Sequence, residues 1–357
     1  MQTYRIQDWV FKDALGKYDI DLGDSNAPCI TLDDFSAIPP VVFDYGTDRG
    51  AQRLREQVAD LYQLPLDHIG IAHGAQEALY LIYRTLLKPS DHIITTGPGW
   101  QQSWEAPRAV GCQVSIVPFE TGFSFDIAAI AAAIQHDTRA IVINTPCNPT
   151  GRVLSATDRA ALIQLVEERG LYLIADEEYL FNLEQSLAHL SHNVVSVSSL
   201  SKIYGAPGLR VGWVAGAPII VRDAMAYKHL TTISNSTLCE TLGSLILERH
   251  PQYIAHYQAL MEHGLHILRK WIQRYTEFVE LVEPEGTPFA WVRLKGEETS
   301  LTFCRRVLQT SRVLLMPAEV FGEKRGLRVT FAREPEQLKA GLAGVACCFE
   351  DVPHPMV

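Results

Sequence analysis

Residues 171–216 read LYLIADEEYLFNLEQSLAHLSHNVVSVSSLSKIYGAPGLRVGWVAG, and the apolar runs inside this stretch decide the fold. Tyr172–Ala175, Val194–Ser198 and Val211–Ala215 are short, rich in β-branched residues, and bounded by acidic, hydroxyl and glycine residues. That pattern predicts strands. Outward from them lie similar runs at His92–Thr95, Gln113–Pro118 and Ala140–Asn144. Amphipathic helical spacing falls between, at Gln76–Leu87, Ile127–Ile134 and Ala156–Arg169. Alternation of this kind predicts an α/β fold, a three-layer, mostly parallel sheet with helices on both faces.

After Pro218 the texture changes. Val221–Glu248 and then Tyr253–Tyr275 read as helix. PEGTPFAWVRL and RGLRVTFA read as strands, with TSLTFCRRVLQTS as a helix between them. The expected division is an N-terminal segment at 1–40 packing on the small domain and a large domain at 41–220. A linking helix follows at 221–250, and a small C-terminal α+β domain at 251–357.

The chain has 357 residues, 47% of them hydrophobic, which suffices for a large core plus a second, smaller one. Net charge is −10, and no lysine and arginine block interleaves with aromatics, so nucleic acid is not an expected partner. No apolar run approaches the roughly 18 to 20 residues that span a bilayer. The opening MQTYRIQDWVFKDALGKYD lacks a signal-peptide pattern, because Asp8, Lys12 and Asp13 interrupt it. The 7 cysteines form no C-x-x-C pair, and Cys347 and Cys348 are expected to pack against a terminal helix. Reduced thiols and a cytoplasmic location are the expectation.

Ser198-Ser199-Leu200-Ser201-Lys202, followed by Ile203 to Arg210, places a lysine in a loop at a strand's carboxyl end. Open α/β sheets bind ligands there. A desolvated lysine has a lowered pKa and a nucleophilic amine, and Arg210 could pair with a phosphate. A surface lysine in a glycine-rich turn is the alternative. Asp176, Glu177, Glu178 and Tyr179 end another strand. A carboxylate among apolar neighbours is costly without a facing cation, and a protonated pyridine nitrogen would be one. A helix N-cap is the other reading of Asp176. Asn144-Thr145-Pro146-Cys147-Asn148-Pro149-Thr150-Gly151 reads either as an ordinary turn or as a rigid loop presenting the Asn148 amide. His73-Gly74-Ala75-Gln76 opens a helix, whose free N–H groups suit a phosphate.

In this order the segments resemble the fold-type-I pyridoxal 5'-phosphate enzymes of the aminotransferase class I/II family, from about Asp21 to Ala332. The resemblance rests on N-x-P-x-N-P-T-G, D-x-x-Y, and S-x-S-K with Arg210 beyond it. It implies that Lys202 is the catalytic Schiff-base lysine and that Asp176 pairs with the cofactor's ring nitrogen. Asn148 and Tyr179 would bond the ring's O3', while Gly74, Ala75, Gln76, Ser199 and Arg210 would hold the phosphate. Trp100 would stack on the ring and touch substrate; a core tryptophan is the other reading. Tyr45 would reach the neighbouring subunit's phosphate, which implies a homodimer with shared active sites. Arg328 would clamp the substrate carboxylate, unless it is a strand-edge surface charge, with Ser25 and Asn148 also near the substrate.

Asp21–Pro28 lacks the family's glycine-glutamate-proline step, and Ala318 follows Pro317 where a glycine is usual. Asp8-Trp9, Tyr204 to Trp213, and His229-x-Thr231-Thr232 resemble the capreomycidine synthase subgroup, which cyclises a modified arginine. His189-x-x-His192 and His263-x-x-His266 lack completing ligands, so no metal is expected. Nucleotide and serine-hydrolase motifs are absent. The resemblance implies transamination between an α-amino acid and a 2-oxo acid. Elimination, replacement or cyclisation on the same cofactor is the alternative, and a non-catalytic binding or regulatory protein is a more remote one.

Overall fold

The computed structural model describes residues 4–350; residues 1–3 and 351–357, the outer ends of the two terminal segments, lie outside the described residues. Its larger sheet has seven strands. From one edge to the other they run Ile69–Ala72, Gly212–Gly216, Val194–Ser199, Tyr172–Asp176, Thr138–Asn144, His92–Gly97 and Gln113–Pro118. Gly212–Gly216 is antiparallel to both of its neighbours, and the remaining pairings are parallel. The expected α/β architecture is the observed one.

The central strands read as apolar runs because both of their faces are covered. Leu173, Ala175, Ile141 and Ile143 pack with the helix Ala156–Arg169 on one face. Ile174, Val142 and Val197 pack with the helices Gly74–Leu86 and Pro218–Lys228 on the other. Ala156–Arg169 has the bounds its sequence predicts. Ser155 accepts the Asp158 N–H at its start, and Gly170 turns left-handed at its end.

A second sheet is four-stranded and antiparallel, ordered Met316–Pro317, Leu327–Thr330, Phe289–Leu294, Val279–Val282. The N-terminal segment packs on this unit. Ile20–Asp21 pairs with Val313–Leu314, and Trp9 Nε1 donates to the Leu315 carbonyl at 2.9 Å. The Cys348 side chain is buried in the terminal helix Pro335–Glu350, whereas Cys347 is exposed.

The helical region expected over 221–250 is broken into Pro218–Lys228 and Thr237–Glu248. Lys228 explains the break. Its side chain is fully buried, and its ammonium donates to the carbonyls of Ile71 and Asp48 and to Asn235 Oδ1. Bringing Asn235 back to that cation turns the chain, with Ile233 at φ 63° and Ser236 capping the next helix. The connection to the small sheet is instead the long helix His250–Arg274. At Gly264 that helix passes so near the strand loop that a Cβ would lie 1.9 Å from the Phe331 carbonyl oxygen. Gly264→Ala is therefore expected to lower unfolding stability by about 1–3 kcal/mol, as overpacking does. An unchanged urea midpoint with an unchanged slope would contradict this close approach.

Candidate active site

The chemistry-bearing residues collect where parallel strands end. Asn144 and Asp176 are cross-strand partners at the last position of two neighbouring strands. Asn144 Nδ2 donates to the Asp176 carbonyl at 2.9 Å, and the Thr145 N–H donates to the same oxygen at 3.0 Å. Asn144 Oδ1 accepts the Asn148 N–H at 2.6 Å, which folds the proline-rich loop over the strand ends. Ser199 ends the next strand, and the turn after it carries Lys202. The Ala27 N–H donates to the Lys202 carbonyl at 2.8 Å, tying the N-terminal segment to this turn.

A cavity of about 300 Å³ opens here, with Asp176, Lys202, Tyr179, Asn148, Trp100 and Arg328 in its wall. That volume lies at the small end of ligand sites. Burial pushes the Asp176 carboxyl up to about 7, and the neighbouring Glu178 adds to the effect, while Lys202 opposes it. Burial likewise raises the Tyr179 phenol, whose hydroxyl donates to Ser25 Oγ at 3.0 Å.

Arg328 is buried rather than a strand-edge surface charge. Its Nη1 donates to Asn148 Oδ1 at 2.7 Å, its Nη2 bonds the Gly23 carbonyl, and its Nε has no partner among the described residues. The guanidinium lies 5.0 Å and 5.1 Å from the ring centres of Phe289 and Phe321. A buried cation held between aromatic faces, with a free donor, is equipped to take a carboxylate.

The opposite end of the cavity is built for an anion. The helix Gly74–Leu86 begins there, and Ala75 and Gln76 line the wall. Arg210 covers the helix start closely enough that a Cβ on Gly74 would lie 2.4 Å from its Nη2. Gly74 has φ +74°, so glycine answers both the backbone and the space. Arg210 donates to the Pro207 carbonyl at 3.0 Å and to the His73 carbonyl at 3.3 Å, and it sits at φ 51°, an uncommon region for a non-glycine residue.

Two expected residues stand apart from the cavity wall. The Ser199 hydroxyl donates to Glu178 Oε2 at 3.0 Å behind the wall, and Ser201 lines the cavity in its place, 3.5 Å from Arg210 Nη1. Tyr45 is 78% exposed and points away from its own chain's cavity. Other lining residues gave no isolated signal in the sequence. Glu178 lay inside a motif read for its flanking residues, and Ile6, Gln7 and Val10 come from the N-terminal helices. Only the Asp8-Trp9 pair hinted that this segment reaches the site.

These groups fit pyridoxal phosphate. A protonated ring nitrogen would supply the cation that the buried Asp176 carboxyl needs, and the Gly74 helix start with Arg210 and Ser201 would take the phosphate. Lys202 presents an amine to the same cavity.

The sequence model of the family described as "Aminotransferase class I and II" matches residues 16–345. Capreomycidine synthase from Streptomyces vinaceus is 27% identical, over 96% of this chain and 92% of its own. A PLP-dependent aminotransferase from Streptococcus suis superimposes with a TM-score of 0.92 at 26% identity, covering 98% of both chains. The PLP-dependent cyclase OrfR superimposes at 0.90, also with 26% identity and 98% coverage of both.

The raised Asp176 carboxyl predicts a pH dependence in the cofactor-free protein. Burial disfavours the charged form, so the stability this group contributes is present at low pH and is lost as pH rises through about 7. Asp176→Asn removes the penalty. Without cofactor, the variant is expected to melt above the parent at pH 8, with the gap closing at pH 4.5. A gap of equal size at both pH values would defeat the assignment.

Proposed function

The chain belongs to the aminotransferase class I and II family, and we propose that it transfers the amino group of an α-amino acid to a 2-oxo acid. The observation that carries this reading is the meeting of Lys202, Asp176, Asn148 and Arg328 on one cavity. Bound pyridoxal phosphate supplies an aldehyde for the substrate amine and a conjugated ring that takes up the electron pair left at Cα.

In the proposed mechanism Arg328 uses its free Nε and one Nη to grip the substrate's α-carboxylate, which orients the Cα–H bond. Lys202 Nζ, released when the substrate amine arrives, takes the proton from Cα and returns it one bond away. Asp176, as a carboxylate, holds the ring nitrogen's proton in place, and this pairing brings its own pKa down from the value burial imposes. Asn148 and Tyr179 fix the ring's hydroxyl side, while Ala75, Gln76, Ser201 and Arg210 hold the phosphate end. The wall from Ile6, Val10 and Leu314 excludes water and gives the substrate side chain an apolar surface.

A second reading is favoured by one finding, the 27% identity to capreomycidine synthase along nearly the whole chain. On it, the same proton transfer is followed by loss of a β-substituent and ring closure of a guanidino amino acid. Two measurements separate the readings. Absorbance at roughly 420 nm, usual for this cofactor joined to a lysine, is expected in the parent and absent in Lys202→Ala; persistence of the band in the variant sinks both. A panel of amino acids with 2-oxoglutarate is then expected to yield glutamate. If none does, while a β-substituted guanidino amino acid is consumed, cyclisation replaces transamination.

The same reading includes a homodimer. Val42, Phe43 and Tyr45 are exposed by 77%, 83% and 78%, an apolar stretch that a second copy would cover. Tyr45 is then the partner-facing phosphate ligand. Tyr45→Ala is expected to weaken cofactor binding about tenfold, the loss of one hydrogen bond to a charged group. Mixing it with Lys202→Ala chains should restore tight binding, because one intact site forms per mixed pair. No recovery on mixing, or a monomer by sedimentation, would end the shared-site arrangement.

A further inference from the structure

We propose that Glu178 is a positioning residue that acts through Lys202, its carboxylate stabilising the protonated form of Nζ at the floor of the cavity. The inference rests on the reading of Lys202 as the amine that carries the cofactor.

The proposed mechanism gives work to Asp176, Lys202, Arg210 and Arg328, and leaves one buried acid in the cavity wall without any. Glu178 is only 8% exposed and shares the wall with Asp176, Lys202 and Arg210. Its neighbour Glu177 is satisfied on the far side. There it accepts from the hydroxyls of Ser186 and Ser196, both at 2.5 Å, and from the Leu187 N–H at 2.9 Å. Glu178 is turned the other way, anchored by the Ser199 hydroxyl at 3.0 Å. The Ser199 oxygen in turn accepts the Ser201 N–H at 2.9 Å, so the anchor is fixed to the lysine turn itself.

The charges facing this carboxylate are Lys202 and Arg210, which favour its ionised form, and Asp176, whose own carboxyl its charge disfavours. Once a phosphate engages Arg210, Lys202 is the remaining cation. A buried carboxylate without a partner is costly, and a lysine amine is held protonated by such a neighbour. The two therefore support one another. The consequence is that Nζ keeps its proton to higher pH, whether free or joined to the cofactor, and the amine is oriented toward the strand ends by its counter-ion.

A spectrophotometric pH titration of the pyridoxal-phosphate-loaded protein reads the proton on Nζ through the exchange between long- and short-wavelength bands. Glu178→Gln is expected to lower the midpoint by about one pKa unit or more, and Glu178→Asp to lie between it and the parent. Equal midpoints in parent and Glu178→Gln overturn the proposal. If the glutamine variant does not fold, Glu178→Met, neutral and of similar volume, takes its place. If that also fails, Ser199→Ala must move the midpoint by releasing the carboxylate, and an unmoved midpoint overturns the idea. Loss of the Lys202-dependent band in the parent would instead defeat the reading of Lys202, so the two failures are distinguishable.

Discussion

The site hangs on one side chain, the amide of Asn144. Its nitrogen binds the carbonyl of Asp176 on the neighbouring strand, and its oxygen binds the N–H of Asn148. Asn148 passes the connection on, because its own side-chain oxygen accepts from Arg328 on the small sheet. A single hydrogen-bonded line thus runs from the end of one central strand, through a proline-stiffened loop, to a cation carried by a different sheet. Each donor and acceptor in it is buried, so breaking a link leaves polar atoms unpaired in a low-dielectric setting. The geometry of the cavity is as rigid as these bonds make it.

That rigidity matters because the site holds more buried charge than an ordinary interior tolerates. Asp176, Glu177, Glu178, Arg328 and Arg333 are all less than a tenth exposed. Each is managed differently. Glu177 is satisfied by two hydroxyls and an amide. Arg333 donates to backbone carbonyls of Asp21, Asp24, Asn26 and Ala332, and so pins the N-terminal segment. Arg328 keeps a donor in reserve. Asp176 is raised toward neutrality by burial, a position from which a cation binding nearby gains the most. The structural ions are fully bonded, whereas the ions facing the cavity are left partly unmet.

Much of this was legible in the sequence where local chemistry and tertiary role agree. The strands Gln113–Pro118 and Tyr172–Asp176, and the helix Ala156–Arg169 with Ser155 and Gly170 at its ends, show in their own residues what they form. The helix Gln102–Val110 was not legible, because Pro107 lies inside it and argues locally against helix. The break at 229–236 was hidden for a different reason. It depends on a buried ammonium meeting Asn235 and the carbonyls of Ile71 and Asp48, contacts that no window of neighbouring residues contains. Similarly, the hydroxyl pattern around Lys202 shows that two serines are present. Only the direction of Glu178 decides that Ser199 is engaged behind the wall and Ser201 faces inward.

The placement of the two proposed substrate contacts explains why the N-terminal segment belongs to the site at all. Lys202 is carried by the large sheet and Arg328 by the small one, so anything gripped by both spans the seam between them. The segment from Tyr4 to Pro28 crosses that same seam. It pairs with Val313–Leu314, anchors Trp9 on Leu315, and binds the Lys202 carbonyl through Ala27. Its Gly23 carbonyl also takes an Arg328 donor, and its Ser25 hydroxyl takes the Tyr179 proton. The stretch that departs from the family's usual sequence therefore touches the carboxylate-binding arginine, the ring-side tyrosine and the lysine turn at once. A change of residue there alters the shape offered to the substrate side chain while leaving the strand-end groups in place, so substrate choice can vary on this segment with the proton-transfer machinery held constant.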